Sequence, residues 1–432
     1  MLAASFLLLA ALAAIFFWLP RRASASPFDV PGSVGLAGSD RPDDLRSYVA
    51  GDSVLEDLAA ILVQNLDAGF GLVDWYRQEN REMVLPTDRS PVLSAENQIL
   101  HGSWLAEQDR QAAFTAWQKM FETHFVTTSG LVIAKRELNG LGQGSSPTLL
   151  PADPDAGNWP ETLKYLRVLA IANSRWPSRE IQSSISRTVD SLAIALGEGL
   201  SSDSVALIPT PAPTMDPAAT PTPLPTATPT PDPLIRRESV IRLDSLDILA
   251  LQYLGQQDAR LESLSSEALD LVEGGLISDT LPLYAFSYAK PDNGSAEEAG
   301  GYVRFSGEHP VIALQPALET ALHLAEVGRL DPRTLNWLTE HLLNDGALYS
   351  AYHIAQGQAI SSEESLVGYA LTARIARIVG DRRLYDAAAN RLQWHLATSQ
   401  TSQVRGAVFR QTADGLVTMT AEDNLWALLA LS

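Results

Sequence analysis

The chain has 432 residues, room for one large helical domain or two ordinary ones, and a formal net charge of −20. That acidity repels a phosphate backbone and an anionic bilayer surface, which argues against nucleic acid as a partner. There is no cysteine, so disulfides, cysteine-zinc sites and thiol nucleophiles are excluded.

The first element in the chain is an uninterrupted apolar run from Leu2 to Leu19, followed by Pro20, Arg21 and Arg22. As a helix it reaches about 27 Å, just enough to cross a bilayer core. Residues 1–25 are therefore expected to be a signal peptide or a membrane anchor, with Ala23-Ser24-Ala25 as a small-residue cleavage site. The arginine pair after the run would favour the cytoplasmic side; export is preferred because of the proline-rich segment described below. Residues 26–50 read as a flexible tether, and residues 51–432 as the folded domain.

Within that domain two kinds of helix alternate. Helices apolar nearly all round are predicted to start near Glu96, Glu161, Asp244, Val311, Glu364 and Glu422. Amphipathic ones are predicted near Val54, Asp109, Arg179, Ala259, Pro332 and Arg383. The amphipathic pattern is plain in Ile181, Ile185, Val189, Leu192 and Leu196, which share one face, whereas LVGYALTARIARIV (366–379) is apolar on most sides. A weak repeat, AEQDRQAAF, YLGQQDARL, EVGRLDPRTL and IVGDRRLYDA, marks the turn from buried to amphipathic helix. Repeated helix pairs build either an open solenoid or a closed toroid. The segment 208–234 is rich in proline, which lacks an amide donor and fixes φ, and is predicted to be extended or disordered. Six inner and six outer helices require both sides of it in one ring, so it is read as an inserted loop. The expected fold is all-α, an (α/α)6 toroid of six helical hairpins.

In such a ring the amino ends of the inner helices share one rim, with free amides and partial positive charge. This rim collects Glu96, Glu161, Asp244, Glu308, Glu363, Glu364, Glu422 and Asp423, with Trp104, Trp159, Tyr165, Tyr284, Tyr288, Tyr302, Tyr352 and Trp426 nearby in sequence. Carboxylates and stacking rings in a groove suit a sugar polymer. Each acid also has a structural reading: Ser361 with Glu364 and Thr420 with Asp423 fit the capping box. The aromatic residues have one too, as core.

The stretch Ala95-Glu96-Asn97-Gln98, followed by an apolar helix and DRQAAFTAWQKMF, resembles the glycoside hydrolase family 8 segment SEGQ-x-YGM-L. Downstream, SLDILALQYLGQQDARLESLSSEALDLV and GLISDTLPLYAFSY resemble that family's third hairpin and the loop after it. The resemblance implies an (α/α)6 barrel that hydrolyses a β-linked polysaccharide of glucan, xylan or chitosan type, with Glu96 as general acid. The family's aspartate-rich motif on the second inner helix is replaced by NWPETLKYL, where Glu161 is the only acid, with Asp153 and Asp155 just upstream. Counting back from Pro316 puts Val311 where the family's base aspartate stands, and Glu308 is the nearest substitute. The candidate catalytic residues are thus Glu96, Glu308, Asp155 and Glu161. The candidate substrate-binding residues are Trp104, Trp159, Tyr165, Asp244, Tyr284, Tyr288, Tyr352 and Trp426.

No HExxH pairing, DxDD motif, GxxxxGK[ST] or GxGxxG pattern occurs. No metal, cofactor or nucleotide is therefore expected. The partners expected are a polysaccharide and, through the leader, a membrane. The location expected is a bacterial cell surface or the extracellular space. With no second carboxylate visible, a catalytically inactive glycan-binding protein that aids polysaccharide export or surface assembly is the alternative.

Overall fold

The computed structural model describes residues 52–78, 89–140, 147–153, 156–197, 199–200, 240–289, 301–304, 310–399, 402, 404–411 and 417–432. The apolar leader, the tether and the segment 208–234 lie outside the described residues. Among those described, no helix is long and apolar enough to cross a membrane.

Among the described residues, twelve α-helices carry the fold. In chain order they are α1 (Asp52–Leu66), α2 (Ala95–Glu107), α3 (Gln111–Phe125), α4 (Trp159–Arg175), α5 (Arg179–Ala195), α6 (Ile248–Gln257), α7 (Glu262–Gly274), α8 (Leu314–Glu326), α9 (Pro332–Glu340), α10 (Leu366–Val379), α11 (Arg382–Trp394) and α12 (Ala421–Leu431). Every helix predicted after residue 51 is present, with its start displaced by a few residues at most. The even-numbered helices touch in succession, α2 to α4, α6, α8, α10 and α12, and α12 returns to α2, closing a ring. Of the odd-numbered helices, α3, α5, α7 and α11 each pack on the preceding inner helix, and α1 packs on α12. Helices α4 and α6, which lie on either side of segment 208–234 in the chain, touch each other.

Residue type explains this division. In α12 every residue except Glu422 is buried, and in α10 the stretch Leu366–Ala373 is buried without a break. Helix α5 buries one stripe, including Ile181, Ile185, Val189 and Leu192, and turns charged residues outward. Close approach between layers requires small residues. A Cβ built on Gly102 of α2 would lie 2.3 Å from the Trp117 ring of α3. Gly102→Ala is therefore expected to lower stability by about 1–3 kcal/mol through overpacking, measured as a fall in the urea midpoint at constant m-value.

Polar caps fix where the inner helices other than α8 begin. Ser94 accepts from the Asn97 amide at 3.4 Å, Asn158 from Glu161 at 3.2 Å, Asp247 from Ala250 at 2.9 Å and Thr420 from Asp423 at 3.0 Å. The capping role expected of Ser361 falls to Ser365, which accepts from Gly368 at 3.0 Å. Glu364 instead accepts from Tyr369, Arg391 and His395.

The helical reading of the sequence also missed short strands at this rim. Val92–Ser94 pairs with Lys135–Asn139, Val240–Arg242 with Ser287–Ala289, Val311–Ala313 with Ala351–His353, and Trp75–Gln78 with Val417–Thr420. Four of these strands lead into α2, α6, α8 and α12 and so tie down their amino ends.

Candidate active site

The amino ends of α2, α4 and α8 and the turn before α6 converge on a small polar cleft open to solvent. Helix α2 contributes Glu96 from its first turn, and α4 contributes Pro160, Glu161 and Lys164. The turn before α6 contributes Arg242, Asp244 and Ser245, and α8 contributes Gln315, Pro316 and Glu319. Glu422, in the first turn of α12, joins the group through Gln315.

A single ammonium organises the carboxyls. Lys164 Nζ donates to Glu96 Oε1 at 2.5 Å and stands 3.8 Å from Glu319 Oε2. Gln315 Nε2 donates to Glu319 Oε1 at 2.9 Å and also to Glu422 Oε1. Arg242 is taken up by Asp244, with Nε 3.0 Å from Oδ1.

These contacts separate the three glutamates electrostatically. The Lys164 ammonium outweighs burial and holds Glu96 below the usual carboxylate range. Burial pushes Glu319 up to about 8, assisted by the negative charges of Glu96 and Asp244 and opposed by Lys164. Burial and the Glu96 charge push Glu422 up to about 7. Burial alone would lower Lys164, but Glu96, Glu319 and Glu161 keep its ammonium charged. Lys164 favours the charged form of both carboxyls, but Glu319 is the more deeply buried and is repelled by Glu96. The one in direct contact keeps its charge, and the more distant one takes the proton.

Beneath the cleft lies a second charged layer. Arg167 of α4 donates Nη1 to Asp247 Oδ2 at 2.9 Å and to Glu326 Oε2 at 2.7 Å. Asp247, His323 and Glu326 bring ligand atoms within 4.8 Å of one another, a spacing that a cation would accept. The Arg167 guanidinium already bonds both carboxylates, with His323 beside them, so this layer is read as a structural ion cluster.

No family model matches the sequence, and no curated protein matches it. Solved structures do match in fold. A novel α-amylase from Clostridium perfringens superposes with a TM-score of 0.64 at 18% identity, over 88% of this chain and 98% of that one. An endo-β-1,4-glucanase from Acetobacter xylinum gives 0.51 at 14% identity, over 80% and 98%. A cold-adapted family 8 xylanase gives 0.51 at 10% identity, over 90% and 92%. The chain has a divergent family-8-like fold.

Within that family-8-like fold, Glu96, Glu161 and Asp244 line the cleft, and one buried oxygen of Glu161, Oε2, has no hydrogen-bond partner among the described residues. Asp155 and Glu308 lie outside the described residues. The aromatic residues need correction, because none of them lines the cleft. Trp104 is buried near the carboxyl end of α2 and donates Nε1 to Ser432 Oγ at 3.1 Å. Tyr165 is buried with its hydroxyl on Glu122 at 2.8 Å. The Tyr284 and Tyr352 hydroxyls accept from the backbone amides of Asp331 and Tyr349. Tyr288 packs edge-on against Tyr302, and Trp159 and Trp426 belong to the core. Of these candidates, all but the half-buried Tyr288, which lies on a strand, are buried, as large apolar side chains usually are.

Lys164, Arg242, Gln315 and Glu319 were not anticipated. A signal for α8 was present: Gln315, Glu319, His323 and Glu326 form a polar stripe at helical spacing on an otherwise apolar helix. Buried polar groups need partners, and Lys164 and Arg167 on α4, three residues apart, provide them for Glu319 and Glu326.

Proposed function

We propose that the chain is a glycoside hydrolase acting on a glucan-type polysaccharide, with the carboxyls of Glu96 and Glu319 as its acid/base pair. The observation that carries this reading is two carboxyls on one cleft, one kept charged by Lys164 and the other pushed up to about 8 by burial. Environments that drive two carboxyls apart are what acid/base hydrolysis needs near neutral pH. The amylase and the glucanase of similar fold support a glucose polymer, and the two linkages their names imply are both to be assayed. We further propose that the helical ring is the (α/α)6 toroid of the six-hairpin glycosidases. The apolar leader and the Thr-Pro segment support display outside the cytoplasm, on the membrane or beyond it.

The test is release of reducing ends by the full-length chain from starch, mixed-linkage β-glucan, cellulose fragments, xylan and chitosan. Hydrolysis of a glucan, abolished by Glu96→Gln and by Glu319→Gln, is the expected outcome. A second reading, glycan binding without hydrolysis, is favoured by the Lys164 ammonium seated directly on Glu96. It predicts retention on polysaccharide affinity gels with no reducing ends from any polymer.

A further inference from the structure

Outer helix α11 ends on Trp394, whose side chain is turned to solvent and is 75% exposed. Among the described residues it is the one exposed aromatic side chain. A single apolar group at the surface needs no explanation in itself. Trp394 differs in being held from one side. The Arg391 guanidinium lies over its ring, 4.7 Å from the centroid, a cation–π contact. Arg391 is in turn gripped at two points by Glu364, Nε to Oε2 at 3.1 Å and Nη2 to Oε1 at 2.7 Å. Tyr369 also donates to Glu364, and His395 Nε2 stands 3.4 Å from the same carboxylate. Burial would raise Glu364, but these contacts outweigh it and hold it below the usual carboxylate range, so the grip on Arg391 is a charged one. A fixed guanidinium thus occupies one face of the indole and leaves the opposite face to water.

The ring stands on the rim that carries the cleft. Glu364 immediately precedes the Ser365 cap of inner helix α10, so its bond with Arg391 sets the carboxyl end of α11 beside the amino end of α10. Next to it, Glu363 pairs with Arg410, and Arg410 Nη2 donates to Asp423 Oδ1 at 2.7 Å. Asp423 adjoins Glu422, which reaches the cleft through Gln315.

We propose that Trp394 is a stacking platform for a pyranose ring of the polysaccharide, a binding site on the rim separate from the cleft, with Arg391 and Glu364 as its positioning residues. The ligand class rests on the reading above, whereas hydrolysis is not required. A pyranose offers an apolar C–H face to a ring and a belt of hydroxyls to polar neighbours. The neighbours of Trp394 on the helix are Asn390, one turn earlier, Arg391, Gln393 and His395, all of them polar. A protein partner or a membrane calls for a contiguous apolar patch, which these residues interrupt. A polymer of phosphates is opposed by the net charge of −20. Because the indole is already held by Arg391, it loses little conformational freedom when a sugar stacks on it. A long glycan lying on Trp394 is kept beside the cleft, while a short one gains nothing from it.

Affinity electrophoresis of the full-length chain in gels containing soluble starch or mixed-linkage β-glucan reads this binding without turnover. Trp394→Ala should weaken the apparent Kd for the retaining polymer by about tenfold, the scale expected for loss of a tryptophan anchor. Trp394→Tyr keeps an aromatic ring and should recover most of it. If the chain cleaves the polymer, Trp394→Ala should raise KM on it at unchanged kcat and leave both constants unchanged on maltotetraose or cellotetraose. Its urea midpoint should stay native, since the ring covers no core. Retention that depends on Trp394, with no reducing ends from any polymer, supports the platform and removes the hydrolase reading alone. Equal retention of native chain and Trp394→Ala, or no retention of the native chain in either gel, overturns the platform whether or not a glucan is hydrolysed. Unchanged retention with an altered oligomeric state in Trp394→Ala also overturns it and makes the ring a contact between copies of the chain.

Discussion

Arg167→Met is expected to be the most destabilising single change in the inner ring, costing about 3–5 kcal/mol in urea denaturation at pH 7. The Asp247 and Glu326 side chains are 2% and 1% exposed, and Arg167 contacts both. Removing it leaves two buried carboxylates with no counter-charge except a protonated His323, whose Nδ1 is 3.8 Å from Glu326 and 4.0 Å from Asp247. The loss should also depend on pH. In the native chain, burial would raise Glu326, but Arg167 and His323 outweigh it and hold it well below the usual range. Its contribution is therefore complete above the unfolded carboxyl pKa of about 4.3 and fades as pH falls through the lower folded value. In the variant the sign reverses. Glu326 titrates above its unfolded value, the folded form binds the extra proton, and stability falls as pH rises. The gap between variant and native chain should accordingly narrow between pH 7 and pH 5. Adding Glu326→Gln to Arg167→Met should recover part of the loss, since only one carboxylate then remains uncompensated. A loss below about 1 kcal/mol at pH 7, where surface ion pairs fall, would show that water or side-chain movement relieves the cluster.

Glu319→Gln should have the largest effect on turnover, a fall in kcat of about 10²–10⁴ on an unactivated glucan. The amide keeps the size of the carboxyl and can still contact Gln315, but it can neither give nor take a proton. Because Glu319 is buried against Lys164 and Gln315, the variant loses a titratable group and little packing, so its denaturation midpoint should move far less than that of Arg167→Met. Kinetics of the variant on a glucan beside its urea curve measure both. A Glu319→Gln enzyme that retained native kcat on such a glucan would remove Glu319 from the chemistry and return attention to Glu422, the other carboxyl raised by burial.

The outline of the helices was legible in the sequence because it depends on local patterning. An inner helix such as α12, buried at every position but Glu422, and an outer helix such as α5, with one apolar stripe, differ in residue content along a single stretch of chain. The Thr420 cap was legible for the same reason, since donor and acceptor are three residues apart. The site was less legible because its pairs are remote: Lys164 and Glu96 are 68 residues apart, and Arg167 and Glu326 are 159 apart. Counting back from Pro316 led upstream to Val311 and Glu308, whereas the acid that meets Lys164 lies downstream, one turn inside the helix. The aromatic residues misled for a related reason. Proximity in sequence to a rim says nothing about which way a ring points, and Tyr165, near the amino end of α4, turns away from the cleft toward Phe121 and Glu122.

The contact of α12 with both α1 and α2 bears on how the chain reaches this state. During synthesis α2 emerges roughly 300 residues before α12, an interval of some 15–60 s at ordinary elongation rates. For that time the faces of α1 and α2 that α12 will cover have no native partner, and α10 joins them only shortly before α12 is made. The closing contacts span most of the chain: Trp104 reaches Ser432 across 328 residues. Late, long-range closure of this kind slows folding and exposes apolar surface meanwhile. Shortening the carboxyl end by a single helix would therefore leave three separate elements uncovered, and failure should appear as aggregation of nascent chains rather than as a weaker but folded protein.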